Sequence, residues 1–76
     1  MKDFIAFIVK HLVDKPDEVQ INEIRGERTL VLELRVGKGD IGKVLGRQGK
    51  NVRALRTLLA AAAAKTGKRT VLEILE

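Results

Sequence analysis

Two glycines, at positions 46 and 49, divide the middle of this chain. Before them, Asp40 can cap a short helical turn from Ile41 to Leu45. After them, a helical pattern of apolar residues runs from Lys50 to Lys65. Glycine is a poor helix former, so two at this spacing separate two helices by a four-residue loop. The rest of the fold must accommodate this helix–loop–helix.

The helix after the glycines has two distinct faces. Its apolar residues recur at helical spacing and predict a buried stripe. This stripe consists of Val52, Leu55, Leu59 and Ala62. The basic residues Lys50, Arg53 and Arg56 lie along another face. Gly67 follows shortly afterwards and is a suitable residue to end the helix.

The flanking segments have the periodicities of one helix and three strands. From Asp3 to Asp14, apolar residues recur every three or four positions, which predicts a first helix with Asp3 able to cap it. Residues 19–36 alternate between apolar and polar around a turn near Gly26, which predicts a β-hairpin. Residues Arg69 to Leu75 predict a final strand. The order of elements is therefore α-β-β-α-α-β.

This order predicts a two-layer α+β domain. The right-handed crossover rule places the last strand parallel to the second, while the hairpin makes the first strand antiparallel to the second. We therefore expect a three-stranded mixed sheet with three helices packed on one face. No linker or internal repeat divides the chain, so residues 1–76 are expected to form a single domain.

Positive charge is concentrated around the two glycines. The chain has a formal net charge of +5, from 15 Lys and Arg against 10 Asp and Glu. Between residues 35 and 56 there are seven basic residues and one acid, so this segment carries +6 and the remainder −1. A localised positive field favours a polyanionic partner such as nucleic acid.

Several classes of function lack the residues that they need. The chain has no cysteine and one histidine, His11, which is expected on the surface of the first helix. Neither a metal site nor a catalytic triad can be assembled from these residues, so we predict no enzyme activity, no metal and no cofactor. The lack of cysteines and of a long apolar segment predicts a cytoplasmic protein. The only aromatic residues, Phe4 and Phe7, are expected in the core.

The segment around the glycines resembles the KH domain. The resemblance rests on an apolar pair, a Gly-x-x-Gly loop and an apolar residue three positions further on, set between two helices and bracketed by strands. Glycines allow a nucleic-acid backbone to approach closely, and the amides that open the next helix attract phosphate. The apolar residues, with part of the second strand, would form a floor for about four nucleotides. The predicted RNA-binding residues are Ile41, Lys43, Val44, Leu45, Gly46, Arg47, Gln48, Gly49, Lys50 and Arg53.

The N-terminal helix and strand make the resemblance more specific. KH domains with such an addition are the bacterial type II form, and the chain is similar from end to end to the KhpA family of small bacterial KH proteins. This resemblance implies binding of single-stranded RNA, a role as an RNA chaperone or post-transcriptional regulator, and a link to cell-wall synthesis and cell length. It also implies a homodimer or a complex with a larger KH-containing partner of the KhpB (EloR) type. The loop pair here is Arg-Gln, where many KH domains have a basic residue and glycine.

The residues themselves leave other functions open. The alanine run at positions 60–64 could form a dimer contact, so the chain could serve mainly as a protein-interaction module with RNA binding secondary. A helix-turn-helix that binds duplex DNA is a third possibility, although two glycines in the turn and bracketing strands argue against it. An enzyme is the weakest of these hypotheses, because no nucleophile and base can be paired.

Overall fold

The computed structural model describes residues 1–75, in which the predicted order of elements is confirmed. The helices and strands are α1 (Lys2–Leu12), β1 (Gln20–Arg25), β2 (Thr29–Arg35), α2 (Ile41–Leu45), α3 (Lys50–Ala63) and β3 (Arg69–Leu75). Short 3-10 turns follow α1, α2 and α3, at Pro16–Glu18, Arg47–Gly49 and Ala64–Thr66. The first helix ends at Leu12, two residues before the predicted Asp14.

The three strands form one mixed sheet in the order β1-β2-β3. The hairpin pairs β1 antiparallel to β2, with Ile21 opposite Leu34. The crossover through α2 and α3 then places β3 parallel to β2, with Leu32 opposite Leu72. The predicted topology is therefore confirmed, and β3 lies at an edge of the sheet, next to α3.

The core lies between one face of the sheet and the helices. Along β2, the leucines at positions 30, 32 and 34 are buried, and they alternate with more exposed residues, as the period of two in a strand requires. Leu32 and Leu34 pack against buried residues of all three helices. These residues are Ile5 and Val9 of α1, Val44 of α2, and Val52, Leu55 and Leu59 of α3.

The helix faces differ from the predicted ones at three residues. Phe4 and Phe7 are exposed, Phe7 at 66%, so their predicted place in the core is wrong. The buried stripe of α1 instead contains Ile5 and Val9, four residues apart, and the two phenylalanines lie beside it. On α3 the same spacing continues from Leu59 to buried Ala63, which leaves the predicted Ala62 exposed.

Asp40 occupies the N-cap position of α2 but does not cap it with its side chain. Its backbone is helical, with φ −95° and ψ −8°, whereas a capping side chain requires the extended conformation. The Asp40 carboxylate is instead 2% exposed and accepts a hydrogen bond from the main-chain N–H of Lys15, at 3.0 Å. The residue therefore connects the segment after α1 to the start of α2.

Two further features bear on the classes of function. Within residues 1–75, no helix is long and apolar enough to span a membrane, and no group of three or more His, Asp or Glu side chains could hold a metal ion. His11 is exposed on α1, as predicted, where its ring lies 4.7 Å from that of Phe7.

Candidate nucleic-acid interface

The loop between α2 and α3 requires glycine at its first position for internal reasons. Gly46 has φ 73° and ψ 171°, a conformation that is open essentially to glycine alone. A Cβ atom at this position would lie 2.6 Å from Asn51 Cγ and 2.8 Å from Asn51 N. The first glycine of the motif therefore allows α3 to begin directly against the end of α2.

Gly49 is required for a different reason. It has φ 75° and ψ 16°, in the left-handed region, but a Cβ atom there would meet only Val52 Cγ1, at 3.9 Å. The space beside Gly49 is thus open to a ligand. The two glycines divide the work, because Gly46 allows internal packing and Gly49 leaves an accessible backbone.

The backbone between the glycines presents unpaired amides. Arg47 has a helical conformation and Gln48 a left-handed one, with φ 58° and ψ 24°. A right-handed residue followed by a left-handed one turns successive N–H groups towards a common point, which makes a concave site for an anion. The N–H groups of Gly49 and Lys50 bond to carbonyls of the same loop. Those of Arg47 and Gln48 have no hydrogen-bond partner among residues 1–75.

Two side chains of α3 hold this loop in place. Asn51 Nδ2 donates to the carbonyl oxygen of Lys43, at 2.8 Å, and so ties the last turn of α2 to the first turn of α3. Arg53 Nη2 donates to the carbonyl oxygen of Gln48, at 2.9 Å. One bond therefore joins α3 to α2 and the other joins α3 to the loop, and both support the loop conformation without a ligand.

The basic side chains at the loop differ in their availability. Arg47 and Lys50 are exposed and form no ion pair within the described part of the chain. Lys43 Nζ lies 2.8 Å from Asp14 Oδ2 and 4.0 Å from Asp40 Oδ1, and these carboxylates, Asp14 foremost, raise the pKa of Lys43 above its usual value. The predicted contact from Lys43 therefore competes with an existing ion pair, whereas Arg47 and Lys50 can meet phosphate directly.

The predicted apolar floor is only partly exposed. Leu45 is 37% exposed and Ile41 is half-buried, so both can be reached from solvent. Val44 is fully buried, and its side chain anchors α2 on the core. β2 is the central strand, and its inward leucines at positions 32 and 34 are covered by the helices.

A groove also lies between α3 and β3. Its volume is about 620 Å³, and one wall consists of Arg56, Leu59 and Ala60 while the other consists of residues 69–74. The groove lies beside the edge of the sheet, where a strand has main-chain groups without a neighbouring strand.

Comparison with known proteins agrees with this geometry. A family model described as the KH domain of KhpA and KhpB matches residues 2–74. The chain belongs to the KhpA/KhpB family of KH domains. An "RNA-binding protein KhpA" from Borreliella burgdorferi is 58% identical over 74 residues, which cover 97% of this chain and 90% of its own length.

Two further relatives of the same name come from other bacteria. The protein from Aquifex aeolicus is 54% identical over 76 residues, covering all of this chain and 96% of its own length. That from Chlamydia trachomatis is 50% identical over 76 residues, covering all of this chain and 97% of its own length. These relatives are named as RNA-binding proteins and not as enzymes, in agreement with the predicted absence of catalytic activity. No solved structure shows a significant match.

One basic residue outside the predicted set lies close to the candidate interface of this KhpA/KhpB domain. Arg56 lies in the groove and its Nη2 donates to the carbonyl oxygen of Leu72 on β3, at 3.2 Å. The sequence signal for it was its position three residues after Arg53 on the basic face. What the sequence could not show was the edge of β3 opposite.

Proposed function

We propose that this KhpA/KhpB domain, acting as one unit over residues 1–76, binds single-stranded RNA at the Gly46–Gly49 loop. The observation that carries the proposal is the pair of unpaired N–H groups at Arg47 and Gln48. They lie at the start of α3, where the helix dipole also favours an anion, and beside the Arg47 and Lys50 side chains. A phosphate of the RNA backbone is the ligand that this combination suits.

Bases would extend from the loop over Leu45 and into the groove between α3 and β3. The loop and groove offer no aromatic side chain, because Phe4 and Phe7 lie on α1. Stacking on an aromatic ring contributes about 1–3 kcal/mol per base, so a single domain lacks this contribution and should bind weakly. Sequence preference would depend on hydrogen bonds to main-chain groups at the edge of β3.

Weak binding by one domain favours a function in which two domains bind the same RNA. The family resemblance suggests an RNA chaperone or post-transcriptional regulator in the cytoplasm, linked to cell-wall synthesis and cell length. It also suggests a homodimer or a complex with a larger partner of the KhpB type. In support of self-association, α3 exposes Leu58 (42%) together with most of its alanines. Two tethered sites act at an effective concentration of roughly millimolar, which would raise the affinity for longer RNA.

The test is a double variant, Arg47→Asp with Gln48→Asp, in a binding assay with a short single-stranded RNA at two salt concentrations. Both glycines remain, and aspartate tolerates the left-handed conformation of Gln48 better than most residues. A matched control, Lys10→Asp with Gln20→Asp, makes the same change in net charge at exposed positions of α1 and β1.

We expect the loop variant to lose binding and the control variant to retain most of it, with both folded by circular dichroism. Binding by the wild type should also weaken with salt, with a log–log slope of about −0.7 per phosphate contacted. Equal binding by the two variants would exclude the loop as the phosphate site. A protein-interaction module would then be the better proposal.

A further inference from the structure

The fold assembles a second basic cluster at the opposite end of α3 from the loop. The turn between β1 and β2 and the turn before β3 are about 40 residues apart in sequence, yet Arg69 N donates to the carbonyl oxygen of Arg28, at 2.8 Å. These two turns contribute five basic residues. They are Arg25, Arg28, Lys65, Lys68 and Arg69, hereafter the distal cluster.

Most of the distal cluster is not neutralised by the protein. Arg25 is paired with Glu23 on β1. The other four basic side chains form no ion pair within residues 1–75, and the only further acid in the two turns is Glu27. Three of the four are exposed, and Lys68 is half-buried. The sequence places the positive charge in the middle third of the chain, whereas the fold creates a second positive region outside that third.

The groove lies between the distal cluster and the basic residues of α3. Arg69 lines the same groove as Arg56. On α3, Lys50, Arg53 and Arg56 follow one another at intervals of three residues, so they form a row that starts at the loop and leads towards the groove. Basic residues therefore occur along α3 from the Gly46–Gly49 loop to the groove, and Arg69 lies on the other wall of that groove.

The length of this series of basic residues is comparable to that of a short bound RNA. Helix α3 has 14 residues, which corresponds to about 20 Å from the loop to the distal cluster. A stacked strand rises about 3.4 Å per phosphate, and a strand with splayed bases is longer per nucleotide, so fewer than about six nucleotides span this distance. Roughly four nucleotides are held by a Gly-x-x-Gly loop in other domains of this kind. A longer RNA that enters at the loop would therefore reach the distal cluster.

We propose that the distal cluster is a second phosphate-binding site, which holds the part of an RNA that leaves the groove. This inference rests on the proposed function, because it needs RNA bound at the loop. The cluster would lengthen the footprint of one domain and increase its affinity for long RNA without a contact to any base.

The experiment compares a 4-nucleotide and a 12-nucleotide RNA of the same composition on the wild type and on Arg28→Gln with Lys65→Gln, two members of the distal cluster that do not line the groove. The quantity to compare is the slope of log affinity against log salt. A longer RNA gains affinity merely by offering more registers, but that statistical gain leaves the slope unchanged. Each additional phosphate contact should instead steepen the slope by about 0.7.

We expect the wild type to have a slope steeper by about 1.4 or more on the 12-nucleotide RNA, which corresponds to two or more extra contacts. The double variant should lose that difference and bind the 4-nucleotide RNA as the wild type does. A charge-retaining variant, Arg28→Lys with Lys65→Arg, should restore the difference. Lys10→Gln, on the exposed surface of α1, is the control for loss of a distant charge.

The outcomes separate this inference from the proposed function. Equal slopes for the two RNA lengths on the wild type would overturn the distal site while leaving the loop as the binding site. A double variant that keeps the steeper slope would overturn it as well. Failure of the wild type to bind either RNA would instead refute the proposed function on which the inference rests.

Discussion

Replacing Asn51 with alanine tests whether the loop is held in its binding conformation before RNA arrives. The change removes the 2.8 Å hydrogen bond from Asn51 Nδ2 to the carbonyl oxygen of Lys43 and leaves every charge in place. Such a bond contributes about 1 kcal/mol net. Alanine is a better helix former than asparagine by up to about 0.7 kcal/mol. We therefore expect the free energy of unfolding to fall by less than about 1 kcal/mol.

The same substitution should also lower the affinity for RNA. Only the loop conformation that presents both free amides can bind phosphate, and any loss of its population reduces the apparent affinity in proportion. Removing about 1 kcal/mol of support weakens binding by at most about fivefold. The higher helix propensity of alanine does not restore this loss of affinity, because it stabilises α3 itself and not the connection between α3 and α2.

The assay pairs urea denaturation with fluorescence anisotropy of a labelled short RNA. Asn22→Ala is the matched control, since it removes a side-chain hydrogen bond from Asn22 Nδ2 to Glu33 Oε1, at 3.1 Å, on the sheet. We expect its RNA affinity to equal that of the wild type. An Asn51→Ala protein that is less stable yet binds RNA as tightly as the wild type would refute the argument that the loop is preorganised.

Three further predictions concern stability and assembly. Gly46→Ala should lower the free energy of unfolding, measured in urea, by at least about 2 kcal/mol, because the residue has a glycine-only backbone conformation and a Cβ atom would contact α3. Gly49→Ala should lower it by about 1–2 kcal/mol, because only the backbone conformation is unfavourable there. Equal losses would contradict the different roles of the two glycines. The hydrogen-bonded ion pair with Arg25 is the main cause that lowers the pKa of Glu23 below 4.5. The stabilisation from this ion pair is therefore present above pH 4.5 and is lost as the pH falls through the folded-state pKa. Glu23→Gln should accordingly be less stable than the wild type at pH 7 in urea, with the difference shrinking in acid. Leu58→Glu should shift a self-associated protein to monomer in sedimentation velocity while it stays folded, and an unchanged oligomer would place the contact elsewhere.

The architecture was predictable because each element has its own periodicity. Alternation in β2 and the interval of four in α3 follow from burial on one side, and the sequence displays both. The separation of α2 from α3 at the two glycines, the hairpin turn and the strand order were also derivable, from turn chemistry and the crossover rule. These properties depend on neighbours in sequence or on general rules of chain topology.

Burial was harder to predict where two apolar residues compete for one buried position. Phe4 is adjacent to Ile5, and Val44 to Leu45, and the spacing alone cannot decide which member of each pair faces the sheet. In each case the packing partner makes the choice. The distal cluster has a similar origin, because its members lie in two turns that only the parallel pairing of β2 with β3 brings together.

The central position of β2 also determines when the native fold can close. Thr29 of β2 pairs with Arg69 of β3, 40 positions later, so the sheet is completed by contacts between residues far apart in sequence. During synthesis, α1, the hairpin and both middle helices emerge before β3, and until then one edge of β2 is open and the groove has a single wall. RNA-binding geometry therefore arises in the last step of folding, and a chain interrupted before β3 would carry the loop without the groove, with an edge open to pairing with another chain.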